Sequence, residues 1–120
     1  MIEVDHYARN DDFVIRIGLH NEVERNRLAS VFHLVAKGEA RRLDLARQDG
    51  FLCAGIETFF LGVVGKMHLE TVSVRDKKVN WTKTAEGWLE ASDLVHGLTM
   101  SSHQILGDGD ATIEVELGAG

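Results

Sequence analysis

The chain has 120 residues, 44% hydrophobic and 27% charged, with a formal net charge of −6, one cysteine and no proline. That size and balance fit a single globular domain spanning 1–120, with a core that needs no covalent staple, and they exclude a disordered chain. A lone cysteine excludes an internal disulfide or a cysteine-rich zinc site, and the net negative charge argues against binding a nucleic-acid backbone.

Met1 to His6 shows neither a basic segment nor an apolar run of the kind that opens a secretory signal. The stretch from Gly50 to Gly65 is too short for a membrane span and contains Glu57. The expected setting is therefore the cytoplasm, with no membrane partner.

Asp11-Asp12 opens the first predicted strand, in which Phe13, Ile15, Ile17 and Leu19 alternate with Val14, Arg16 and Gly18. Asn21 then caps a helix, with Glu24 three residues later able to reach back to the Asn21 backbone. Leu28, Val31, Phe32 and Val35 form its buried stripe. Gly38 interrupts, and helical spacing resumes from Glu39 to Gln48 before Asp49-Gly50 ends it. Residues 51–69 fit either period. The length of the apolar run favours a buried helix over about 53–66, although three glycines each cost roughly 1 kcal/mol relative to alanine.

Glu70 to Lys83 reads as a hairpin, with Val72 and Val74 on one arm, Val79 and Trp81 on the other, and Arg75-Asp76-Lys77-Lys78 as the turn. Thr82 or Thr84 caps a further helix whose buried stripe is Trp88, Ala91, Val95 and Leu98, with Ile105 as a continuation. Gly107 to Asp110 is a turn. A last strand points Ile113, Val115 and Leu117 inward and Thr112, Glu114 and Glu116 outward. The expected class is α+β: one antiparallel or mixed sheet of about four strands, helices on one face and the other face wet.

Catalytic signatures are absent. No pair among the six histidines has HExxH or HxH spacing. Ser101-Ser102-His103 lacks a GxSxG turn, Asp108-Gly109-Asp110 lacks the remaining calcium-loop ligands, and no phosphate loop occurs. Cys53, in the apolar run Phe51 to Ala54, reads as an inert buried thiol. No cofactor and no metal is expected.

The distribution of charge is more informative than its sum. The first 83 residues hold 13 basic and 12 acidic side chains. From Thr84 onward there are seven acids and no lysine or arginine. Glu86, Glu90 and Asp93 fall at offsets of four and three on the predicted helix, and Glu114 and Glu116 share one face of the last strand. Such a one-sign surface steers encounter with a basic partner. The leading expectation is a small protein-binding domain of inhibitor, immunity or antitoxin character. Its binding residues would be Glu86, Glu90, Asp93, Glu114 and Glu116, with Trp88 as an anchor if it is not core. A rival from a different class is a small-molecule enzyme or binding protein using Glu57 with His33, His68 or His103 as acid–base groups. A homodimeric assembly subunit is the third reading.

Overall fold

A computed structural model describes residues 1–38 and 42–118. The chain is α+β, but the nine strands among the described residues form two mixed sheets, not one sheet of about four. The strands are β1 (Ile2–Arg9), β2 (Asp12–Leu19), β3 (Arg42–Asp44), β4 (Phe51–Cys53), β5 (Thr58–Val63), β6 (Thr71–Arg75), β7 (Lys78–Lys83), β8 (Ser102–Gly107) and β9 (Thr112–Leu117). The helices are α1 (Glu22–Ala36) and α2 (Ala85–His96).

The larger sheet has the order β4-β1-β2-β9-β8, and the smaller β3-β5-β7-β6. Strand β1 joins β2 through a two-residue turn in which Asn10 takes a φ of 57°, as asparagine tolerates in hairpin turns. This strand lies outside the predicted set, although Ile2 and Val4 alternate with Glu3 and Asp5 just ahead of Asn10-Asp11. In the smaller sheet the predicted hairpin forms: β6 pairs antiparallel with β7, and Asp76-Lys77 is the turn between Arg75 and Lys78.

Helix α1 begins as expected, with the Asn21 side chain accepting from the Glu24 backbone N–H at 2.9 Å. The Glu24 carboxylate reaches one residue further than expected, to the His20 N–H at 3.0 Å. The helix ends at Ala36. The expected helical continuation over 39–48 is corrected: residues 39–41 lie outside the described residues, Arg42–Asp44 form β3, and Leu45–Arg47 form a 3-10 turn. The expected helix over 53–66 is corrected as well. Phe59 and Leu61 are fully buried while Thr58, Phe60 and Gly62 are partly exposed, which is strand alternation. Strand β5 lies between β3 and β7 and pairs parallel with β7. Such an interior strand reads as a near-continuous apolar run and imitates a buried helix in sequence.

The two helices pack on each other and on both sheets, and all contribute to one core. Its centre is aromatic. Trp81 of β7 stands 4.8 Å from Trp88 of α2 and 5.5 Å from Phe32 of α1, ring centre to ring centre. The Trp88 indole N–H donates to the Gly62 carbonyl at 2.8 Å, and the buried Ser92 hydroxyl donates to the Ala29 carbonyl at 2.8 Å, tying α2 to β5 and to α1. A second tie joins the sheets. The Val72 N–H donates to the Asp108 carbonyl and the Asp110 N–H to the Val72 carbonyl, at 3.0 and 2.8 Å. Gly109 has a φ of +148°, and a side chain there would collide with the Val72 backbone.

Candidate functional site

The acidic residues of the last third divide into two groups. On α2, Thr84 caps the helix by accepting from the Gly87 N–H at 3.0 Å, and Trp88, Ala91, Ser92 and Val95 face the core. The opposite side carries Glu86, Glu90 and Asp93, all exposed, with Leu89 and Leu94 beside them at 38% and 39% exposure. Among the described residues only Lys66 approaches this group, 3.6 Å from Glu86, and both of those side chains are about four-fifths exposed. A pair so exposed contributes little.

Strand β9 is different. It lies between β2 and β8, so its outward residues have neighbours on both sides. Glu114, expected at the surface, is 5% exposed. Arg9 donates to it at 3.2 Å and the Tyr7 hydroxyl at 3.5 Å, while Arg9 also bonds Tyr7. Glu116 lies 3.9 Å from Arg16, which forks onto Asp5 at 3.2 and 2.6 Å. These guanidinium groups come from the first sixteen residues of the sequence and neutralise the strand acids across the sheet. Trp88 is fully buried in the aromatic cluster and offers no surface anchor.

The groups of the enzyme reading do not converge. Glu57 is exposed in the connection between β4 and β5, and His33, His68 and His103 are exposed on separate elements. Cys53 is half-buried, and its thiol is pushed up to about 11 by burial and, second, by nearby Asp44. It is a poor nucleophile in this setting. Among the described residues, no three histidine, cysteine or acidic side chains gather as a metal-binding group. No helix among them is long and apolar enough to cross a membrane.

One feature next to the α2 acids lies outside the sequence-predicted set. Two hollows of about 260 and 190 Å³ share Glu70, Lys83, Ile105 and Leu106 and form a continuous cleft between α2, β8 and the β6–β7 hairpin. The smaller hollow adds Glu90 and Leu94, and the larger adds Trp81, Thr82, Gly107 and Asp108. Glu70 is fixed at the start of α2, where its carboxylate accepts from both the backbone N–H and the hydroxyl of Thr84 at 2.9 Å. A side chain on Gly87 would collide with that carboxylate. Burial alone would raise the Glu70 carboxyl, but the Thr84 donors and then the Lys83 ammonium hold it below its ordinary value. It therefore stays charged at neutral pH. In sequence, Glu70 is only the first residue of a predicted hairpin, and nothing marks it as a neighbour of Glu90.

No protein-family model, curated protein or solved structure matches this chain.

Proposed function

We propose that the chain is a protein-binding domain that docks a basic partner on the exposed side of α2, in the manner of an inhibitor, immunity or antitoxin protein acting in the cytoplasm. The observation that supports this most is the contrast within the acidic third. Glu114 and Glu116 are engaged by arginines of the same chain, whereas Glu90 and Asp93 meet no lysine or arginine within 4.0 Å among the described residues. Like charges at helical spacing repel by a few tenths of a kcal/mol per pair, and a cationic partner relieves that repulsion. Leu89, Leu94 and Ile105, at 38%, 39% and 55% exposure, supply apolar contact between the charges. The docking surface is thus narrower than the sequence suggests: Glu86, Glu90 and Asp93 remain in it, and Glu114, Glu116 and Trp88 leave it.

The experiment is co-purification of the tagged chain from cells that express it natively, alongside the triple variant Glu86→Lys, Glu90→Lys, Asp93→Lys. The wild type is expected to retain a basic protein and the variant to lose it, with the difference shrinking as salt rises. Equal recovery by both proteins refutes the α2 docking reading.

A further inference from the structure

We propose that the cleft beside α2 receives a lysine or arginine side chain of the docked partner, with the partner's adjoining backbone carbonyl accepting from the Trp81 indole N–H. This rests on the docking reading above and adds where the partner inserts.

Two independent features of the cleft point to such an occupant. The first is charge. Glu70, Glu90 and Asp108 line it against a single ammonium, Lys83, so three negative charges less one positive leave a net of two negative. Lys83 does not cancel the site. Its side chain is only 14% exposed, with the ammonium 3.8 Å from Glu70 and 5.8 Å from the centre of the Trp81 ring. The smaller hollow lies between Glu70 and Glu90, and Leu94, Ile105 and Leu106 give it an apolar wall. A long basic side chain buries its methylene stem against such a wall while its head meets the carboxylates.

The second feature is an unused donor. Trp81 is 1% exposed and lines the larger hollow. Among the described residues no acceptor meets its Nε1–H, whereas the Trp88 N–H is satisfied by Gly62. The Trp81 nitrogen lies against Gly107, where an added Cβ would stand 2.6 Å away. Glycine at 107 thus leaves the indole edge open to the cleft. That N–H opens onto the cleft, where a docked carbonyl can take the place of water as its acceptor. A free cation brings no acceptor to this donor. A basic residue within a polypeptide brings both a positive head and a carbonyl.

The test uses the two indole resonances of the ¹⁵N-labelled full chain. The probe is acetyl-Gly-Arg-Gly-amide, with acetyl-Gly-Gln-Gly-amide as the uncharged control. The arginine peptide should shift the Trp81 N–H signal saturably, with a Kd on the order of 1 mM, and leave the Trp88 signal in place. Glu90→Gln should weaken that response roughly fivefold, the loss expected for one solvent-accessible charge. A silent Trp81 signal at about 10 mM peptide, or an equal shift with the glutamine peptide, overturns the inference. If the triple α2 variant still retains the natural partner, the docking reading falls and this inference with it. Release of the partner alongside a silent Trp81 signal overturns this inference alone.

Discussion

Helix α2 and strand β9 carry the same kind of charge in the same lysine- and arginine-free third of the sequence, and the fold treats them in opposite ways. Glu114 on β9 is 7% exposed at its side chain and is held by Arg9, and Glu116 lies beside Arg16. Glu86, Glu90 and Asp93 on α2 stay in water, and among the described residues only Glu86 has a lysine or arginine within 4.0 Å. The contrast comes from geometry. A strand inside a sheet has neighbours on both sides, so an acid there is matched or it is costly. A helix packed by one stripe leaves its other side in solvent, where unmatched charge is tolerated and remains available.

The largest expected effect tests whether α2 is as two-sided as described. Trp88→Ala should destabilise the fold by about 3–5 kcal/mol in urea unfolding, because it empties the aromatic cluster. A loss below about 1 kcal/mol would mean that Trp88 is not a core residue and that the core side of α2 is misassigned.

Next comes a matched pair of charge reversals. Glu114→Lys should cost roughly 2–3 kcal/mol, since it places an ammonium against Arg9 in a closed environment; the cost is held below that of a deep pair by the exposure of Arg9. Glu90→Lys should change stability by no more than about 0.5 kcal/mol, as for a surface substitution away from any packing feature. Equal costs in chemical denaturation would remove the distinction between strand and helix acids. The α2 triple reversal should likewise leave the unfolding midpoint nearly unchanged while it abolishes partner retention, which separates docking from folding.

The smallest effect extends the comparison to a third carboxylate. Glu24 accepts from the N-terminal ammonium at 2.7 Å and from the His20 backbone N–H and ring, at 3.0 and 2.9 Å. Burial pushes this carboxyl up, but those donors outweigh it and bring it down to about 2. Its folded value lies below the ordinary 4.5, so its contribution is present above that pH and is lost as pH falls from there through about 2. His20 is shifted the other way by the Glu24 hydrogen bond and charge. Its contribution is complete below 6.5 and lost as pH rises through the raised value. Glu24→Gln should flatten both limbs of a melting-temperature profile against pH. An unchanged acid limb would show that Glu24 is not held by its neighbours.

The elements with a local signature were legible in the sequence. Asn21 and Thr84 cap their helices, Asp76-Lys77 turns the hairpin, and Trp88, Ala91 and Val95 are buried at helical spacing. Phe13 to Leu19 and Thr112 to Leu117 alternate as strands. Strand β5 was not legible, because its half-exposed and exposed positions also carry apolar residues, Phe60 and Val63, so the alternation seen in its burial is not written in its hydrophobicity. Strand β8 has no such signature: Ile105, which in sequence continues the helical stripe, is 55% exposed on this edge strand.

The candidate site was half legible. The helical offsets of Glu86, Glu90 and Asp93 were enough to place them on one side of α2, because a helix fixes its own geometry within a few residues. Which acids stay unmatched was decided elsewhere. Arg9 meets Glu114 across 105 positions of sequence, and Glu70, Lys83, Glu90 and Leu106 become walls of one cleft when β8 and the β6–β7 hairpin close around α2. Local spacing determines what a segment presents. Long-range strand pairing decides what is left over to meet another molecule, since charges distant in sequence neutralise one another only after the sheets have formed.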